Sequence, residues 1–176
     1  MSKIGIFYGS DTGHTEEVAN LMYDLLAEYD RDIFDVRKVE DASIILNYDL
    51  IILGTPTWYL GELQSDMDEF KNKLSDIDIT NKTFALFGLG DQIGYSEFFV
   101  DGMGKLYNYL KEKNAKFVGK WSTEGYTFTS VLSLDEDNSS FVGLPLDADN
   151  QEDLTVDRVY NWLEQLKEEA NLEIKQ

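Results

Sequence analysis

Short apolar runs recur along this chain, and stretches with apolar residues at helical spacing separate them. The runs are Lys3–Tyr8, 33–39, 50–54, Thr83–Leu89 and 116–120. The third and fourth are almost wholly apolar, as strands buried on both faces must be. Between them, Val18, Met22, Leu25 and Leu26 share one helical face, as do Leu63, Met67, Phe70 and Leu74. Phe99, Met103, Leu106 and Leu110 form a third stripe, and Val156, Val159, Tyr160 and Leu163 a fourth. Each stripe reads as the core side of an amphipathic helix, and 41–47 reads as a shorter helix. Strand–helix alternation of this kind predicts an α/β three-layer sandwich, a five-stranded parallel sheet covered by helices on both faces. Crossovers should be right-handed, and five strands in a doubly wound sheet favour the order 2-1-3-4-5. A ligand belongs beyond the carboxyl ends of the strands, where strands 1 and 3 diverge.

One stretch breaks the alternation. Residues 121–141 are polar and aromatic, with an acidic cluster at Asp135-Glu136-Asp137, and strand character returns at 141–146. This predicts an insertion that splits the fifth strand. With 43% hydrophobic residues, two prolines and no internal repeat, the chain reads as one domain over 1–176.

Thirty-four acidic and 15 basic side chains give a net charge of −19. Nucleic acid and anionic membranes are therefore unsuitable partners, since both are bound through Lys and Arg. A basic protein is a suitable one. The absence of cysteine excludes disulfides, thiolate metal sites and thiol nucleophiles. No signal-peptide pattern or membrane-length apolar stretch is visible, so a soluble, cytoplasmic protein is expected.

Three of the predicted strand ends lead into loops with unusual chemistry. Gly9-Ser10-Asp11-Thr12-Gly13-His14-Thr15 follows the first strand and opens a helix. Hydroxyls, close-approach glycine and first-turn amides suit an anion without any cationic side chain, although an ordinary helix cap reads equally well. The Gly-Lys-Ser/Thr ending of a nucleotide-binding loop is missing. His14, the only histidine, has no second His or Cys for a metal and no serine–acid pair for a triad. Thr55-Pro56-Thr57-Trp58-Tyr59-Leu60-Gly61-Glu62 follows the third strand and puts a tryptophan at the ligand edge. Gly88-Leu89-Gly90-Asp91-Gln92-Ile93-Gly94-Tyr95 follows the fourth and offers free amides and a second aromatic ring. Trp58 and Tyr95 together form the walls of a slot for a planar ring.

These segments, with Trp121-Ser122-Thr123-Glu124-Gly125-Tyr126 and Phe141-Val142-Gly143-Leu144-Pro145-Leu146-Asp147-Ala148-Asp149-Asn150-Gln151, resemble the long-chain flavodoxins end to end. The resemblance implies the flavodoxin-like fold, non-covalent FMN, and low-potential one-electron transfer rather than enzymatic turnover. It implies that Ser10, Asp11, Thr12, Gly13, His14 and Thr15 cradle the phosphate, with Asp11 turned to solvent. Trp58 and Tyr95 would stack on the ring. Thr55, Pro56, Thr57, Tyr59, Leu60 and Gly61 would form the second loop, with a reorienting peptide at Tyr59-Leu60. Leu89, Gly90 and Asp91 would meet the ring's polar edge and Asp149 the ribityl chain. The implied partners are basic redox proteins, such as a ferredoxin/flavodoxin-NADP reductase and downstream acceptors, met by a monomer. Acidic groups at Glu62, Asp66, Asp68 and Glu69, and at Asp147, Asp149, Glu152 and Asp153, form the expected docking rim. A phosphorylation-controlled receiver would need clustered aspartates at the ends of strands 1 and 3, where this chain has Gly-Ser-Asp and Gly-Thr-Pro.

Overall fold

A computed structural model describes residues 1–176. The main strands are β1 (Lys3–Tyr8), β2 (Asp30–Asp35), β3 (Leu50–Trp58), the two-residue β4 (Glu62–Leu63) and β5 (Thr83–Leu89). Four short strands follow: β6 (Lys116–Phe117), β7 (Trp121–Ser122), β8 (Ser140–Phe141) and β9 (Leu144–Leu146). The helices are α1 (His14–Leu25), α2 (Ser65–Lys73), α3 (Asp101–Glu112) and α4 (Thr155–Glu169). None is long and apolar enough to cross a membrane.

The parallel sheet runs β2-β1-β3-β5, and its last position is shared by β6 and β9, both parallel to β5. Phe117 lies beside Phe84, and Leu144 beside Phe87. The fifth strand is thus split, as the sequence suggests, and antiparallel β7 and β8 close the intervening segment. Side chains alternate between two cores, as the period of a strand requires. Ile4, Ile6, Leu50, Ile52, Ala85 and Phe87 meet α1 and α4 on one face. Phe7, Ile51, Leu53, Phe84 and Leu86 meet α2 and α3 on the other. Trp162 of α4 is fully buried edge-on to Phe87, with its Nε1 donating to Gly119 O at 2.8 Å.

Three expectations need correction. The second strand covers Asp30–Asp35 rather than 33–39, because the Asp35 carboxylate accepts from Arg37 N and turns the chain into a 3-10 segment, Val36–Lys38. The 41–47 helix is also 3-10 (Ala42–Asn47), started by Asp41 accepting from Ser43 N. In α4, Val156 and Tyr160 are exposed, and the buried face is Val159, Trp162, Leu163 and Leu166. The buried stripe starts at Val159 and runs through the large Trp162 ring.

Candidate functional site

β1 delivers the first loop to the carboxyl edge of the sheet, and Gly9 N donates to Gly54 O, joining it to β3 at the switch point. Gly13 caps α1 with φ 97°, a left-handed conformation that disfavours any side chain. No side chain caps the helix. Instead the Ser10 Oγ accepts from Gly13 N at 3.1 Å. The other amides of residues 10–16 make no hydrogen bond within the chain. A helix N-terminus with open amides and no capping side chain is a site for an anion. Asp11 is exposed and swings aside to accept from Gln64 Nε2 at 3.1 Å, clear of those amides.

The second segment is less of a loop than expected. Thr55, Pro56, Thr57 and Trp58 continue β3, and Thr57 and Trp58 pair with Leu63 and Glu62 of β4. Tyr59, Leu60 and Gly61 make the hairpin turn, with Tyr59 at φ 46° and Gly61 at φ 82°. Tyr59 and Leu60 are exposed by 76% and 73%, and a non-glycine residue at positive φ carries strain. The turn rests on the start of α3. Thr57 Oγ1 accepts from Gly102 N at 2.9 Å, and the buried Asp101 carboxylate lies beside Gly61 and bonds Ser130. Burial pushes the Asp101 carboxyl up, against the Ser130 hydrogen bond and the Lys105 charge.

The third loop is held from behind. Asp147 is fully buried, so it belongs to no docking rim. Its Oδ2 accepts from Gln92 N at 3.1 Å and Gln92 Nε2 at 2.8 Å, and its Oδ1 from the amides of Asp149 and Asn150. Gln92 Oε1 in turn accepts from Thr127 N at 2.7 Å. The inserted segment thereby braces the loop that carries Tyr95. Burial alone raises the Asp91 carboxyl, but donors from Gly94, Asn150 and Ile93 outweigh it and leave the group below the usual carboxylate range.

These three segments enclose a cavity of about 460 Å³, within the range of ligand sites. Thr12, His14 and Thr15 line one end. Pro56, Thr57, Trp58 and Tyr59 form one wall, and Leu89, Gly90, Asp91 and Tyr95 the other, with Asp149 at the rim. Ser10, Asp11, Gly13, Thr55, Leu60 and Gly61 do not line it, and Thr55 is buried in the sheet. Phe98, Phe99 and Ala148 line it as well. Phe99 reads from sequence as a core residue, and it serves both roles. No Lys or Arg lines the cavity. Trp58 Nε1 is buried and has no hydrogen-bond partner within the chain. The donors at one end and flanking rings at the other match a flat aromatic group joined to an anion. No cluster of three or more His, Asp or Glu side chains is placed to hold a metal.

Residues 6–162 match the flavodoxin family model. A flavodoxin from Nostoc sp. is 45% identical over 172 residues, covering 97% of this chain and 98% of its own. Flavodoxin 1 of Escherichia coli K12 is 42% identical over 173 residues, covering 98% and 97%. Among solved structures, a Fusobacterium nucleatum flavodoxin bound to flavin mononucleotide superposes with a TM-score of 0.88 at 34% identity, covering 96% of this chain and 99% of that one. Sequence and fold agree over nearly the whole length, and the chain belongs to the flavodoxin family.

Proposed function

We propose that this protein binds FMN non-covalently in the cavity and carries single electrons at low potential between protein partners. The observation that carries the reading is the pairing, in one cavity, of open helix-terminal amides with two aromatic walls. The residues fit the cofactor: the Ser10–Thr15 loop (10–15) would hold the phosphate, Trp58 and Tyr95 would face the ring, and Leu89, Gly90 and Asp91 would meet its polar edge. Asp149, which lines the cavity, would meet the connecting chain. Bound FMN supplies the redox chemistry, and the protein tunes it.

That tuning follows from charge. With no Lys or Arg lining the cavity, the phosphate would keep its full charge, balanced only by amides and the α1 dipole. Asp91 and Asp149 add negative charge at the opposite rim. Every added electron therefore enters an already negative site of low polarity, which favours a strongly reducing carrier. The Tyr59-Leu60 peptide, in a strained and exposed turn, is the element free to reorient when the ring changes protonation. The net charge of −19 suits a monomer that meets basic redox proteins such as a ferredoxin/flavodoxin-NADP reductase.

Titrating the purified protein into FMN tests this. FMN fluorescence is expected to be quenched at one equivalent, and Trp58→Ala and Tyr95→Ala each to weaken binding. Reduction by a basic reductase is expected to slow as ionic strength rises. FMN fluorescence that the protein leaves unchanged would refute the proposal.

A further inference from the structure

Helix α4 bears an apolar face that neither the core nor the cofactor cavity uses. Val156 and Tyr160 stand one turn apart and are exposed by 58% and 52%. At the foot of this face a groove of about 410 Å³ opens between α1 and α4. Val18, Leu21, Leu146 and Ala148 line it, and Val156 forms a lip. The groove shares His14, Leu89 and Ala148 with the cofactor cavity, so the two are immediate neighbours. Its charged members are the carboxylates of Glu17 and Glu152, and no Lys or Arg lines it. Arg158 is turned elsewhere, stacked on Tyr126 at 4.2 Å and donating to Gln151 at 2.7 Å.

An exposed apolar patch with a charged rim is the pattern of a protein contact. The rim chooses its occupant: two carboxylates without a cation, on a chain of net charge −19, disfavour an acidic surface and attract a basic one. We infer that this groove seats an apolar side chain, set among Lys or Arg residues, of a basic redox partner. That anchor would hold the partner beside the cofactor cavity. The inference rests on the carrier reading above and gives it a specific contact: burial of the apolar anchor supplies affinity, while the rim supplies orientation and encounter rate.

The test uses FMN-loaded protein and a purified basic ferredoxin/flavodoxin-NADP reductase. Val156→Ser and Tyr160→Ser remove exposed apolar surface and leave the core intact. The double variant is expected to raise the Kd of the complex about fivefold or more, the loss of an interface contact worth ~1 kcal/mol. FMN affinity, midpoint potentials and reduction by dithionite are expected to stay unchanged. Glu152→Gln is expected to flatten the dependence of association rate on ionic strength. A Kd within about twofold of wild type in the double variant overturns the inference and leaves the carrier reading standing. A concentration-dependent dimer in sedimentation, abolished by the double variant, overturns it in favour of self-association. A wild-type protein that takes no electrons from the reductase sinks the carrier reading itself.

Discussion

Thr57 ties the cofactor strand to helix α3 through one hydrogen bond, and replacing it with Val isolates that bond. Thr57 Oγ1 accepts from Gly102 N at 2.9 Å. The residue capping α3 is Val100, at φ 50° and without a side-chain cap, so Thr57 does from another element what a capping residue does locally. Gly102 is buried, and a Cβ there would stand 3.0 Å from Pro56 O, which shows how closely helix and strand approach. Val has nearly the shape of Thr but no acceptor. Thr57→Val therefore strands a buried N–H at a cost of about 1–3 kcal/mol. For a domain of this size ~1 kcal/mol is about 2–4 °C in Tm, so a drop of roughly 2–12 °C is expected. Thr57→Ser keeps the oxygen and loses one methyl, for at most ~1 kcal/mol. Urea denaturation of the FMN-free protein, followed by far-UV circular dichroism, ranks the three. A Val variant within ~0.5 kcal/mol of wild type, or one more stable than the Ser variant, would refute the cross-fold cap.

Further outcomes follow from the same geometry. Trp58→Phe is expected to lose less FMN affinity than Trp58→Ala, since a ring remains, with ~0.5–1.5 kcal/mol resting on the aromatic contact; fluorescence titration separates them. The Asp101 carboxyl is raised by burial in the folded state, so it contributes stability in acid that is lost as pH rises through its folded pKa. Asp101→Asn is accordingly expected to gain stability relative to wild type as pH rises above the ordinary carboxylate range, and to show no such gain in more acidic solution. Denaturation midpoints across pH that stay parallel would contradict this. Leu60→Gly is expected to widen the backbone freedom of the Tyr59-Leu60 peptide and Leu60→Pro to restrict it, which moves the two one-electron potentials of bound FMN apart and together, respectively. Equal separations in all three proteins would remove the turn from the account.

Much of this architecture is written in hydrophobic periodicity. The runs at β3 and β5 are apolar on both faces because both faces are covered, so period and burial coincide. Edge strand β2 carries a weaker signal, because its partly exposed residues obey no strict pattern and its end is set by the Asp35 side chain. The α4 stripe illustrates a different limit. Spacing places Val156 and Tyr160 on an apolar stripe, but only the tertiary fold shows that the buried face is Val159, Trp162, Leu163 and Leu166. At the site, the three loops and their two rings were legible from glycines, hydroxyls and position after strands. The buried polar ties were not. Asp147 looks like one more acidic surface residue beside Asp149, and only the tertiary fold brings Gln92 to it. Asp101 likewise opens a helix in sequence but meets Gly61 and Ser130 across long chain separations. Phe98 and Ala148 carry no chemical signal, since an apolar side chain lining a cavity is indistinguishable in sequence from one filling a core.

The central claim is that this fold holds FMN and separates its reduction into single-electron steps. Stepwise anaerobic reduction of the FMN-loaded protein, followed by absorbance and by spin counting in electron paramagnetic resonance, tests it most directly. The account predicts a large accumulation of unpaired spin after one electron equivalent, disappearing with the second at a distinctly more negative potential. A protein that takes both electrons in one step, with no spin accumulating between them, would contradict it.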